Sequence, residues 1–139
     1  MYIRQPIRFL SLLCSLVWMA SCTGSPSAPT VDTLVVQSAT PPAGTVLGAN
    51  SEVTFTYQIT CTLTSETALV GMIFIPIIDG GLSDGGASET PTIRKGTTTV
   101  TLSHTLRIPA RSTRVDVFVA MENQDRIGQT STVVSYPVQ

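Results

Sequence analysis

The sequence predicts an all-β fold, a sandwich of about seven antiparallel strands, set behind a short apolar leader. Three observations carry that expectation. Apolar and polar residues alternate with a period of two over several long stretches, the signature of strands with one buried and one wet face. Clusters of Pro, Gly, Asn and Asp punctuate those stretches at the spacing of sandwich turns. Only 12% of the chain is charged, and Thr and Ser fill the polar positions instead. A length of 139 residues allows one domain with one modest core.

The leader comes first. Arg4 and Arg8 precede an apolar run from Phe9 to Ala20, and no acid stands among residues 1–21. A positive start followed by a short apolar stretch has the layout of an export signal, and the run falls short of the roughly twenty residues needed to span a bilayer. The stretch Leu16-Val17-Trp18-Met19-Ala20-Ser21-Cys22 resembles the lipobox of bacterial lipoproteins. That resemblance implies removal of residues 1–21 as a signal helix, acylation of Cys22 and attachment to a membrane through the lipid. Met19 stands where the lipobox usually carries leucine or another aliphatic residue; ordinary cleavage after Gly24 is the alternative. Residues 22–30, with Pro26 and Pro29 among small polar residues, read as a flexible tether. By the same resemblance, Thr23 rather than aspartate after the cysteine implies the cell envelope's outer membrane in a Gram-negative host.

From Val31 onward every pattern is that of a strand. Leu34–Ser38 forms the first, stopped by the turn Pro41-Pro42-Ala43-Gly44. Val53, Phe55, Tyr57, Ile59, Cys61 and Leu63 then alternate with Thr54, Thr56, Gln58, Thr60 and Thr62, a strand buried on one face. Ala68–Ile78 is apolar on both faces, which suits a central strand or one lying under a partner, and Pro76 calls for a bulge or edge near its end. Asp79–Glu89 is a glycine-rich loop. Thr92–Arg94 reads as a short strand ahead of a turn at Lys95-Gly96, followed by a strand whose buried face is Val100, Leu102, His104, Leu106 and Ile108. After Pro109–Ser112, the residues Val115, Val117, Val119 and Met121 share one face, with Asp116, Phe118 and Ala120 on the other. A hairpin at Asn123-Gln124-Asp125 leads into a last strand, Thr130–Val138.

Residues 31–139 resemble bacterial immunoglobulin-like and fibronectin type III-like modules through the Pro-Pro-Ala-Gly turn, the long second strand and the final hairpin. The resemblance implies an immunoglobulin-like sandwich. It departs from antibody domains in lacking an inter-sheet disulfide and a core tryptophan, since Cys61 has no partner in Val115–Met121 and Trp18 lies in the leader.

The charged and reactive residues narrow the function. Residues 22–139 hold six basic and nine acidic side chains, a balance of −3 with no clustered basic footprint, which argues against a nucleic-acid partner. Of the three cysteines, Cys14 leaves with the signal, Cys22 would carry lipid, and Cys61 sits among uncharged neighbours as an inert core thiol. His104 is the only histidine and falls on an apolar face, the place of a core or interface-lining residue rather than a general base. Zinc needs three or four ligands, and one histidine with one buried cysteine does not supply them. Asp79, Asp84 and Glu89 form the one candidate metal loop, for calcium, against the plainer reading of a solvated loop. Most of the acids sit near strand ends or in loops, and a small sandwich has little room for a catalytic groove, so no enzyme and no cofactor are expected. Phe118, Ala120 and Phe74 are read as an outward apolar partner surface. The expectation is a membrane-tethered, non-catalytic module that binds a protein or glycan or serves in envelope assembly. A lipoprotein inhibitor or chaperone acting through a loop or sheet edge, and more remotely a small hydrolase, are the alternatives.

Overall fold

The computed structural model describes residues 31–123 and 128–139. The expected signal (1–21) and tether (22–30), Cys22 included, lie outside the described residues, as do Gln124 and Asp125 of the hairpin. Every regular element within them is a strand: β1 Thr33–Thr40, β2 Glu52–Ile78, β3 Gly81–Leu82, β4 Gly86–Ala87, β5 Thr92–Arg107, β6 Ser112–Asn123 and β7 Gly128–Pro137. They pair antiparallel in one seven-stranded sheet, in the order β1-β2-β6-β7 with β3, β4 and β5 also joined to β2.

β2 is the spine. It runs for 27 residues and has neighbours along both edges. β1 and then β6 follow one another along one edge, Thr33–Thr40 facing Thr62–Thr56 and Asn123–Ser112 facing Ala68–Ile78. β5 takes the other edge from Glu52 to Leu69, and β4 and β3 continue it at Ile73–Ile78. Midway, Thr64, Ser65 and Glu66 of β2 stand against Lys95 alone, between the pairs Leu63↔Gly96 and Thr67↔Arg94. Surplus residues on one strand bend it and sharpen its twist. Gly96, at φ 112°, adopts the backbone conformation the irregularity requires of β5, one that L side chains disfavour.

The bend curls the sheet until the inner faces of the two halves of β2 meet. The Phe55 ring lies 5.1 Å from that of Phe74 and 5.3 Å from that of Tyr136. The core includes Phe55, Tyr57, Ile59, Cys61 and Leu63 from the first half of β2, Val70, Met72 and Phe74 from the second, Val115, Val117, Val119 and Met121 from β6, Leu102 and Leu106 from β5, and Tyr136 from β7. Leu47 lies beside Val138 in a parallel bridge, its N–H donating to Pro137 O (2.9 Å) and its carbonyl accepting from Gln139 N–H (2.9 Å).

Two expectations are corrected here. The strands expected at Val53–Leu63 and Ala68–Ile78 are one continuous strand, and those at Thr92–Arg94 and Val100–Ile108 are likewise one, with Lys95-Gly96 inside it instead of forming a turn. The polar run Thr64–Thr67 has turn composition, but Asp32 holds it in the sheet: its Oδ1 accepts from Thr64 N–H (2.8 Å) and Thr64 Oγ1 (2.6 Å). The wet face of the first half is also more ordered than alternation implies. Hydroxyls pair across β2 and β5 at Thr54–Thr105 (2.8 Å), Thr56–Ser103 (3.0 Å), Thr60–Thr99 (3.0 Å) and Thr62–Thr97 (3.2 Å). Such cross-strand pairs are the unit of sheet stabilisation.

Candidate functional site

The side chains that face outward from the second half of β2, β4, β6 and β7 form a continuous apolar surface. Cross-strand register aligns Ala87, Ile73, Phe118 and Val133 in a single row across four strands. Residues directly opposite one another on one face of an antiparallel sheet lie within side-chain contact, so the row is continuous. Ile73 is 49% exposed and Val133 46%, with Phe118 half-buried between them. One row over, Gly71, Ala120 and Ser131 keep the surface low. There a shallow hollow of about 230 Å³ opens beside Ile73, lined by Gly71, Ala87, Thr90, Ala120 and Glu122 among others.

The apolar row has a polar border on one side. Asp116, in register with Ile75 and Ser135, takes Arg114 Nε at 2.9 Å and Nη2 at 3.0 Å, and accepts from Ser135 Oγ at 2.7 Å. A two-point guanidinium–carboxylate pair fixes the orientation of both groups. On the far side Glu122 is exposed. The arrangement is an apolar row bordered on one side by the Arg114–Asp116 pair and on the other by Glu122.

Of the residues expected on this surface, Phe118 and Ala120 lie on it and Phe74 does not. Phe74 is 1% exposed and packs inward on Phe55 and on His104. Its neighbour Ile73 takes its place on the outer face. In a stretch apolar on both faces, hydropathy alone does not say which set of alternate residues turns inward; the signal that settles it is the cross-strand alignment of Ile73 with Phe118.

Asp79, Asp84 and Glu89 are exposed and not gathered around a common point. The segment that bears them runs extended along β2 through β3 and β4, with Ser83 N–H donating to Pro76 O (2.9 Å) and Ser88 N–H to Met72 O (3.0 Å). Among the described residues no three His, Cys, Asp or Glu side chains are grouped to hold a metal ion. His104 is half-buried and its ring stacks on Phe74 with centroids 4.9 Å apart. Cys61 is a free thiol fully inside the core, and burial raises its pKa, which disfavours the reactive thiolate. Tyr57 and Tyr136, both fully buried, share a hydroxyl contact of 2.7 Å, and the Tyr136 hydroxyl donates to Pro41 O at 2.8 Å. Burial holds both phenols neutral, the mark of a structural pair rather than a reactive one.

No family model matches the chain, and no curated protein does. Among solved structures it is similar to the alkylpurine DNA glycosylase AlkC of Pseudomonas fluorescens, at 13% identity and a TM-score of 0.47, covering 78% of this chain and 30% of that one. It is similar to the C-terminal domain of wzt at 13% identity and 0.46, covering 83% and 82% of the two chains. It is also similar to a CARDB domain from Pyrococcus furiosus at 12% identity and 0.46, covering 83% and 95%. Likenesses of this order carry no information about activity.

Proposed function

We propose that this chain is a membrane-tethered extracytoplasmic binding module without catalytic activity, in which an immunoglobulin-like β-sandwich presents a protein-binding surface at the cell envelope. The observation that carries the binding role is the row Ala87–Ile73–Phe118–Val133, apolar, exposed at both Ile73 and Val133, and bordered by the fixed Arg114–Asp116 pair. In the sandwich reading the two halves of β2 belong to opposite layers, and the meeting of Phe55 with Phe74 supports it. The tether rests on the resemblance of residues 16–22 to a lipobox, with Cys22 as the lipid-bearing residue.

Two experiments test the proposal. Phe118→Asp places a carboxylate at the centre of the row without entering the core. Its melting temperature is expected to stay within a few degrees of the parent. Capture of the chain's protein partner from solubilised host membranes, identified by its loss under competition with untagged chain, is expected to disappear. Unfolding of the variant would assign Phe118 to the core and sink the proposed surface. For the tether, intact mass of the mature protein is expected to show acylation at Cys22, and Cys22→Ser is expected to move the chain from membrane to soluble fractions. A mature protein starting elsewhere, with no acyl mass, would establish a secreted domain instead.

A further inference from the structure

A second feature lies on the other side of the 83–91 segment. Among the described residues, β5 is paired along one edge only, with β2. The hydroxyl ladder shows which backbone groups face its open edge. In an antiparallel pair, side chains approach most closely at the non-hydrogen-bonded positions, whose N–H and C=O groups point away from the partner strand. Thr54–Thr105, Thr56–Ser103, Thr60–Thr99 and Thr62–Thr97, with hydroxyls 2.8–3.2 Å apart, are such positions. Thr101, opposite Gln58, falls in the same series. Thr97, Thr99, Thr101, Ser103 and Thr105 therefore aim their backbone donors and acceptors at the open edge.

A second edge faces it. The 83–91 segment spends backbone bonds on β2, through Ser83, Ser88 and the Pro91 carbonyl, which accepts from Val70 N–H at 3.1 Å. Between the two runs a groove of about 360 Å³ walled by Glu89, Thr90 and Pro91 on one side and Thr101, Leu102 and Ser103 on the other. Three consecutive residues on each wall mark the edges of two extended chains, because a sheet face would contribute every second residue. His104, under Gly86 and stacked on Phe74, adjoins the groove next to Ser103.

We infer that this groove accepts an extended strand of a partner polypeptide, which pairs with the open edge of β5 and lies between β5 and the 83–91 segment. Unpaired backbone groups in a row are satisfied by another strand, the mode known as β-augmentation. The charges specify the strand further. Arg94 and Lys95 stand near one end of β5, and Arg107 and Arg111 at the other. Lys95 has Glu66 at 3.9 Å and Arg107 is in register with Glu52, while Arg94 and Arg111 make no ion pair among the described residues. Glu89 stands beside the middle of the groove. The matching strand is uncharged at its centre and acidic towards its ends. A second copy of β5 is a poor occupant, since antiparallel self-pairing brings Arg107 and Arg111 of each copy close to Lys95 and Arg94 of the other.

The probe is a displayed library of random linear peptides, selected on the purified full chain, with the enriched peptides then synthesised. Enrichment of peptides with acidic ends and an uncharged, alternating centre is expected, and their binding should slow amide hydrogen exchange at Thr97, Thr99, Thr101, Ser103 and Thr105. Thr101→Pro removes one outward N–H and leaves the pairing with β2 intact, so it should keep the fold and weaken binding about tenfold. Thr101→Ala keeps the N–H and should bind as the parent does. The inference is overturned if no peptide is enriched, if protection appears at Phe118 or along β7 instead, or if Thr101→Pro binds as tightly as Thr101→Ala. A dimer in sedimentation that Thr101→Pro dissolves would also overturn it, in favour of self-pairing. Should Thr101→Pro unfold, the exchange map of the parent chain decides alone.

Discussion

Among single residues, the buried tyrosine pair is the most informative. Tyr136 Oη contacts the Tyr57 hydroxyl and donates to Pro41 O, so Tyr136→Phe strands two partners while Tyr57→Phe strands only one. Denaturant melts are expected to show a loss of about 1 kcal/mol for Tyr57→Phe and about 2 kcal/mol for Tyr136→Phe. The pair also sets an alkaline limit. Tyr57, Tyr136 and Cys61 all have pKa values raised by burial from ordinary values of 10.0, 10.0 and 9.0. Above those ordinary values the unfolded chain releases protons that the folded chain retains, so stability falls as pH rises. Urea titrations should be flat with respect to these groups at neutral pH and decline from about pH 9 upward. Cys61→Ala should delay the onset towards the tyrosine range. Cys61 as an inert core thiol was legible in the sequence, because no charged neighbour stands beside it and it falls on a regular apolar face. The Tyr57–Tyr136 contact was not, since 79 residues separate the two and only the curl of the sheet joins them.

The glycine-rich segment belongs to the scale of elements. Its composition suggested a solvent loop or a curled cation site, yet it forms two short strands pressed against β2. Gly85 explains the close approach: a Cβ there would overlap the Phe74 carbonyl, a backbone group that cannot swing aside. At Gly81 an added Cβ meets nothing within 4 Å. Gly85→Ala is expected to cost about 1–3 kcal/mol, and Gly81→Ala no more than about 0.5 kcal/mol, both read from thermal or urea unfolding. Pairing between distant strands accounts for what sequence reasoning missed. Alternation identified the inward set Val53–Leu63 and the outward side of Phe118, which is half-buried. It did not reveal that β2 and β5 each continue through a polar interruption, because a bulge is made by pairing with a neighbour rather than by local preference. Nor did it place Phe74 inside and Ile73 outside, since both are equally apolar.

At the scale of the whole molecule, Asp32 ties the start of the described chain to the bend of β2. Its carboxylate binds Thr64 at the bend of β2, and its Oδ2 lies 3.4 Å from Asn123 Nδ2 at the end of β6. The chain therefore enters at the bend, while Asn50 and Gln139 lie at the opposite end, where Asn50 N–H donates to Ile108 O (3.0 Å) and Gln139 O accepts from Ala49 N–H (2.8 Å). Asp32→Ala is expected to lose about 1–3 kcal/mol in urea unfolding and to release early amide exchange at Thr64. Asp32 also fixes how force enters the fold. A pull at Val31 against an anchor at Gln139 would run along β1, which starts at Thr33 opposite Thr62 beside the bend, while Gln139 lies at the other end. The hydrogen bonds joining β1 to β2 lie across that direction and are strained together in shear, instead of parting one after another as in a zipper. A domain tugged from its leading end would thus yield as a unit, and the first strand doubles as a mechanical clasp.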